Sequence, residues 1–97
     1  MAVLASLADT GNKEVTHMNQ VTIYTSKVCT YCAMAKRLLA NKGVTPVEIN
    51  VGNDPQLMQQ MMAKTGRRTV PQIYIGDKHI GGYDDLVALD RAGGLAI

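Results

Sequence analysis

The chain has 97 residues, of which 46% are hydrophobic and 19% are charged. Such a composition builds one small domain around a single core and excludes a disordered chain. The formal net charge of +2 comes from scattered basic residues, and the sequence has neither Phe nor Trp, which argues against nucleic-acid binding. Two cysteines three positions apart cannot form the disulfide framework of a secreted protein, so a reducing compartment, the cytoplasm, is predicted.

The first part of the chain, residues 1–17, has no clear periodicity and is interpreted as an extension of unknown origin. The folded domain is predicted to span residues 18–97. The apolar run near the start is short, is broken by Asp9 and has no basic residues before it. It therefore predicts neither a signal peptide nor a membrane-spanning segment.

The first half of the domain predicts a strand, a helix and a second strand. Residues 20–25, QVTIYT, carry apolar side chains on both faces, which is typical of a central strand. Residues 30–41 have apolar side chains at helical spacing, and Lys42 and Gly43 supply a stop. Residues 45–51 have an apolar side chain at every second position from Val47, which predicts a strand. The apolar positions that carry these predictions are Ala35, Leu38 and Leu39 in the helix and Val47, Ile49 and Val51 in the strand.

The second half predicts a capped helix, a hairpin and a last helix. Residues 53–66 have Asn53 or Asp54 as the cap, Pro55 at the first position and Gly66 as the stop. The apolar stripe of this helix is interpreted as a core face and consists of Leu57, Met58, Met61 and Met62.

Two short apolar runs flank Gly76 and Asp77 and predict a β-hairpin, and residues 83–94 predict a third helix. The order β-α-β-α-β-β-α, with a parallel pair joined through a helix and an antiparallel hairpin, predicts an α/β fold. It is a four-stranded mixed sheet with helices on both faces.

The cysteine pair Cys29 and Cys32 has three interpretations. A zinc site needs about four ligands, and the other candidates, His17 and His79, are isolated. A purely structural disulfide at this spacing closes a very short loop and stabilises little. A redox pair fits best, because Cys29 lies at the predicted start of a helix, where free N–H groups and the helix dipole favour a thiolate. Cys29 is then predicted to attack a disulfide, and Cys32 to resolve it.

Two further segments could face the thiols. A cis Pro71 in the sequence TVP, residues 69–71, would leave the Val70 backbone free to bind an extended peptide-like substrate. The sequence GGYDD, residues 81–85, offers glycines for close approach and a helix N-terminus for a carboxylate. The local sequence equally allows an ordinary turn and a helix capped by Asp84.

Together, C-x-Y-C after a strand, T-V-P before a hairpin and G-G-x-D-D at the last helix resemble the glutaredoxin family from about Asn19 to Leu95. The resemblance implies a thioredoxin-like fold and a monomer that serves electron transport and cell redox homeostasis. The implied activity is that of a glutathione-disulfide oxidoreductase, with glutathione as co-substrate and disulfide-containing or glutathionylated proteins as partners.

The resemblance also implies the site residues. Cys29 would be the nucleophile and Cys32 the resolving thiol. Many relatives carry a lysine three residues before the first cysteine, where this chain has Ser26. The cation for the glycine carboxylate of glutathione would then be Lys27 or Arg68, with Arg67 as a further candidate. The full set implied to bind glutathione is Lys27, Tyr31, Arg68, Thr69, Val70, Pro71, Gly82, Tyr83 and Asp84.

A second departure from the common dithiol motif is Thr30, which stands where proline is usual. Some relatives with a small hydroxyl residue at this position hold a [2Fe-2S] cluster between two chains. Its ligands are glutathione and the cysteine that corresponds to Cys29. A cluster-carrying protein is therefore one alternative function. The other is a small electron donor that is reduced by thioredoxin reductase.

Overall fold

The computed structural model describes residues 20–95, and the fold over this range follows the predicted order. Its elements are β1 (Val21–Thr25), α1 (Thr30–Asn41), β2 (Val47–Asn50), α2 (Pro55–Thr65), β3 (Gln72–Ile75), β4 (Lys78–Gly81) and α3 (Tyr83–Arg91). The last helix ends at Arg91, earlier than predicted, and is followed by Gly93 at φ 80°, a conformation that glycine adopts without strain. The predicted extension, residues 1–17, lies outside the described residues.

The strands form one mixed sheet in the order β2-β1-β3-β4. β1 pairs with β2 in parallel and with β3 in antiparallel fashion, and β3 and β4 form the predicted hairpin. β1 is therefore central, as its sequence predicts. Within β1, Ile23 faces one side of the sheet and Tyr24 faces the other, because successive side chains of a strand alternate.

Helices cover both faces of the sheet, which confirms the predicted architecture. On one face α1 and α3 pack over a buried cluster of Val21, Ile23, Ala35, Leu39, Ile73, Leu86 and Leu95. On the other face Met61 of α2 packs in a second buried cluster with Tyr24, Val51 and Tyr74. The methionine stripe of α2 is a core face, since Met61 is fully buried and Leu57, Met58 and Met62 pack against this second cluster. In the described part of the chain, no helix is long and apolar enough to cross a membrane.

The start of α2 is held by Asp54, whose Oδ1 accepts a hydrogen bond from the Leu57 N–H at 3.1 Å. Loss of such a cap costs about 1 kcal/mol. Asp54→Ala is therefore expected to lower the free energy of unfolding by about 1 kcal/mol, measured by urea denaturation. Asp54→Asn keeps a capping oxygen and serves as the control, and equal loss in both variants would contradict this role of the cap.

The end of β1 is tied to β2 through a polar contact that depends on pH. The buried Thr25 hydroxyl donates to Glu48 Oε2 at 2.7 Å, and Lys36 Nζ lies 3.1 Å from Glu48 Oε1. The hydrogen bond from Thr25, and after it the contact with Lys36, lowers the pKa of Glu48 from its ordinary 4.5. The folded state thus favours the ionised carboxylate.

A depressed carboxyl pKa stabilises the fold fully above the unfolded-state pKa, and this contribution is lost as the pH falls through the folded-state pKa. The stability advantage of the wild type over Glu48→Gln is therefore expected to be constant above pH 4.5 and to shrink as the pH falls below 4.5. Urea denaturation across this range measures it. Thr25→Val removes the larger cause of the lowered Glu48 pKa. In this background the stability difference caused by Glu48→Gln should therefore depend less on pH. An advantage that grows on acidification would contradict the assignment.

Candidate functional site

The two cysteines lie at the start of α1. Cys29 is the N-cap, with an extended backbone at φ −151° and ψ 101°, and its Sγ accepts a hydrogen bond from the Cys32 N–H at 3.1 Å. The two residues form a disulfide with Cα atoms 5.2 Å apart. Cys29 is half-buried, whereas Cys32 is 2% exposed. Cys29 is therefore the sulfur within reach of a partner, and the predicted order of attack fits this asymmetry.

The segment Thr69–Pro71 lies next to Cys29. The Val70–Pro71 peptide bond is cis, a conformation that the sequence alone left open. Cys29 Sγ lies 3.8 Å from Val70 O. In the disulfide this is a contact, because the sulfur carries no proton, and the reduced thiol can donate a hydrogen bond there. Within residues 20–95 the Val70 N–H has no hydrogen-bond partner.

The N-terminus of α3 forms the second side of the site. Gly82 is the N-cap, and its N–H donates to Asp85 Oδ2 at 2.9 Å. The alternative in which Asp84 caps this helix is therefore wrong, because Asp85 makes the capping contact. The preceding Gly81 has φ 123°, and a Cβ there would collide with the Asp85 carboxylate. A glycine is required at this corner, which brings the helix start close to Pro71.

These segments enclose an open cleft of about 240 Å³. Seven of the residues predicted from the resemblance to bind glutathione line it: Tyr31, Thr69, Val70, Pro71, Gly82, Tyr83 and Asp84. Lys27 and Arg68 are exposed and are not among the lining residues, whereas Arg67 is. The structure therefore brings one of the three candidate cations to the cleft.

Two tyrosines face each other at the cleft. The rings of Tyr31 and Tyr83 are stacked, with centroids 5.8 Å apart and planes inclined by 28°. Tyr31 is 58% exposed and Val28, just before Cys29, is 92% exposed. An apolar surface thus borders the accessible sulfur, which suits contact with the aliphatic parts of a peptide.

Two lining residues were missed from the sequence. Asp85 caps α3 and lies 3.6 Å from the Arg67 guanidinium. Gln72 is buried at 1% exposure, donates from Nε2 to Thr69 O at 3.0 Å and lies 2.7 Å from His79 Nε2 through Oε1. Asp85 stands three residues after Gly82, which is the spacing of a capping box. Glycine has no side chain for the other hydrogen bond of that motif, so the sequence carries only half of this signal. Nothing in the local sequence marks Gln72.

His79 on β4 is a titratable residue in contact with Gln72. Its ring stacks on Tyr74 with centroids 5.0 Å apart. Burial, and after it the positive charge of Arg67, lowers the pKa of His79 from 6.5. Because neutral imidazole is favoured and Gln72 engages its Nε2, His79 acts here as a structural hydrogen-bonding group.

Comparison with known proteins places these features in a family. The glutaredoxin family model matches residues 21–80. Glutaredoxin 3 of Escherichia coli is 49% identical over 78 residues, which cover 80% of this chain and 94% of that protein. A glutaredoxin of Neisseria meningitidis serogroup B is 49% identical over 79 residues, covering 80% and 93%.

A solved structure agrees with the fold. The crystal structure of a buckwheat glutaredoxin–glutathione complex superposes with a TM-score of 0.73 at 29% identity, over 87% of this chain and 79% of that one. The thioredoxin-like sheet, the cysteine pair at a helix start and the sequence identities lead to one conclusion. The chain belongs to the glutaredoxin family of thiol-disulfide oxidoreductases.

Proposed function

We propose that the protein uses glutathione to reduce glutathione mixed disulfides and protein disulfides through the Cys29 thiolate. The observation that carries this proposal is the position of Cys29 Sγ, 3.8 Å from the Val70 carbonyl, beside the cleft that reaches the N-terminus of α3. A cysteine within a peptide, as in glutathione, needs both a sulfur acceptor and a backbone partner, and this site offers them side by side. The related buckwheat protein was crystallised with glutathione.

The reaction begins when the Cys29 thiolate attacks the glutathione sulfur of a mixed disulfide. A bond forms between the two sulfurs, the original S–S bond breaks, and the substrate thiolate leaves and takes up a proton. A second glutathione, as its thiolate, then attacks the glutathione sulfur bound to Cys29, which forms oxidised glutathione and releases the Cys29 thiolate. The helix N-terminus stabilises the Cys29 thiolate both before attack and as the leaving group.

Protein disulfides follow a second route. Cys29 first attacks one substrate sulfur, which breaks the substrate S–S bond, releases the other sulfur as a thiol and leaves a mixed disulfide. Cys32 then attacks Cys29 Sγ and releases the second substrate thiol. The product is the Cys29–Cys32 disulfide, the form that the structure contains. Two glutathione molecules reduce it again and leave as oxidised glutathione, so that the electrons balance.

Charge and hydrogen-bond donors indicate how glutathione would lie in the cleft. Its cysteinyl backbone would pair with Val70, as an added strand does. Because Asp85 takes the Gly82 N–H, the γ-glutamyl carboxylate would accept from later N–H groups of α3, with its ammonium near Asp84. The glycine carboxylate would contact Arg67, the cation that lines the cleft.

The test is the initial rate of reduction of a glutathionylated peptide with glutathione, glutathione reductase and NADPH. Turnover is expected in this system, and none when thioredoxin reductase replaces glutathione and its reductase. Turnover with thioredoxin reductase alone would contradict the proposal and favour the reductase-fed alternative. A monomer in the cytoplasm, where glutathione is plentiful, is part of the proposal, and size-exclusion chromatography with light scattering tests the monomer.

A [2Fe-2S] cluster is the second candidate, favoured by Thr30. This residue is exposed at the first position of α1, next to Cys29, so proline does not constrain the turn beside a thiolate ligand. Cys29 and glutathione would hold the cluster between two chains. Anaerobic reconstitution with iron, sulfide and glutathione should then give visible absorption and a dimer, both absent in Cys29→Ser. A colourless monomer would exclude it.

A further inference from the structure

Gln72 is a buried amide beneath the cleft that takes no part in the thiol chemistry. It is 1% exposed, and a polar group at such a place must be paired. Its Nε2 donates to Thr69 O at 3.0 Å and lies 3.3 Å from Thr69 Oγ1, while its Oε1 lies 2.7 Å from His79 Nε2. Gln72 therefore links the backbone of Thr69 to a side chain on β4.

The direction of these hydrogen bonds follows from which groups can donate. A carbonyl oxygen only accepts, so Thr69 O must face the Gln72 NH₂ group, and Gln72 Oε1 must face His79. His79 Nε2 therefore carries a proton and donates. Neutral imidazole protonated on Nε2 meets this requirement, and so does imidazolium, so the chain from His79 through Gln72 to Thr69 persists in both charge states.

The hydrogen bonds from His79 through Gln72 to Thr69 fix the orientation of one peptide plane. The Thr69–Val70 peptide bond is trans, so its C=O and N–H point in opposite directions. Since Thr69 O accepts from the buried Gln72 amide, the Val70 N–H points away from that amide. Within residues 20–95 this N–H has no hydrogen-bond partner, and Val70 lines the cleft. Without the hydrogen bond to Thr69 O, rotation of this plane would carry the N–H away from the cleft.

We propose that Gln72 and His79 are positioning residues which, through Thr69, aim the Val70 N–H at the backbone of a disulfide substrate. The inference rests on the proposed use of the Val70 backbone in substrate binding. Its consequence is selective: a disulfide whose cysteine carries peptide groups gains from the Val70 N–H, and a disulfide without them does not. Gln72 and His79 thus set the preference for peptide disulfides and leave the reactivity of Cys29 unchanged.

The test uses reduced protein in a single turnover, with two uncharged disulfides. One is the disulfide of N-acetylcysteine N-methylamide, which has peptide groups on both sides of the cysteine, and the other is bis(2-hydroxyethyl) disulfide, which has none. The ratio of their second-order rate constants is the measure of preference. In Gln72→Met and in His79→Leu this ratio is expected to fall about three- to tenfold, the loss of one ordinary hydrogen bond, with the hydroxyethyl disulfide rate unchanged.

His79→Gln is the conservative variant, because its side-chain amide places a donor near the position of the imidazole Nε2. It is expected to restore the wild-type ratio that His79→Leu loses. If the role of His79 were only to stack on Tyr74, glutamine would fail as leucine does. Equal loss in His79→Leu and His79→Gln would therefore overturn the proposal.

Ile73→Val is the matched control for stability, since Ile73 is fully buried in the same strand but faces the other core cluster. It should leave the ratio unchanged. A wild-type ratio in both Gln72→Met and His79→Leu, or an equal slowing of both disulfides, would overturn the inference. Because no glutathione is present, its failure is distinguishable from failure of the proposed function, which the glutathione-coupled assay reports.

Discussion

Replacing Cys29 by serine is expected to abolish reduction of both glutathione mixed disulfides and protein disulfides. Thiolate is the attacking form, and serine has no sulfur and carries a hydroxyl that stays protonated at neutral pH. Cys32 cannot take over, because it is 2% exposed and lies one turn inside α1. Both rates should fall to the uncatalysed background, measured in the glutathione-coupled assay and with a disulfide-containing protein.

The fold should survive this substitution, which separates the chemical effect from a structural one. Cys29 Sγ accepts the Cys32 N–H at the helix N-cap, and serine is among the best N-cap residues. Circular dichroism and the urea midpoint, compared with those of the reduced wild type, provide the control. Activity above background in folded Cys29→Ser would show that Cys32 can attack, and the assigned roles would be wrong.

Replacing Cys32 by serine is expected to separate the two activities. Glutathione can still remove glutathione from Cys29, so mixed disulfides should turn over at a rate near that of the wild type. Protein disulfides should be reduced far more slowly, because release of the second thiol requires attack by Cys32 on the mixed disulfide. The two assays are run on the same preparation.

The control for this variant is Cys32→Ala, because a buried serine hydroxyl without a partner destabilises a core. Both variants should show the same separation of activities. An equal loss of both activities in each variant would contradict the resolving role of Cys32 and indicate that the buried thiol is needed for the first attack as well.

Most of the fold could be predicted because its boundaries are set by local chemistry. The bounds of α2 are set by the cap Asp54, the fixed φ of Pro55 and the left-handed stop Gly66. Each of these signals can be recognised from the few residues around it. The end of α3 was missed because Ala92 and the following glycines offer several stops. The structure ends the helix at Arg91, with Gly93 in the left-handed conformation.

The site was predictable where a motif carries its chemistry and not where a contact joins distant residues. Cys29 and Pro71 stand out in the sequence, and pairing of β1 with β3 brings their segments together. The adjacent arginines 67 and 68 cannot be distinguished by sequence, because they lie in a loop without periodicity. The structure distinguishes them through Asp85, which pairs with Arg67.

The contact between Gln72 and His79 lies beyond sequence reasoning for a related reason. It depends on the register of the hairpin, which shifts between Ile73 and Tyr74. Strand alternation alone does not reveal such a shift. The sequence therefore does not distinguish Gln72 from an ordinary exposed polar residue of a strand, because its burial and its partners are known only from the structure.

The most direct test of Cys29 as the nucleophile towards glutathione disulfides compares the two single-cysteine variants. Reduced Cys32→Ser and Cys29→Ser each keep one of the two cysteines of the chain. Each is mixed with oxidised glutathione, and the intact mass is followed over time. Cys32→Ser is expected to gain one glutathione rapidly while Cys29→Ser stays unmodified. Equal or faster modification of Cys29→Ser would show that Cys32 is the reactive thiol and would contradict the proposed mechanism.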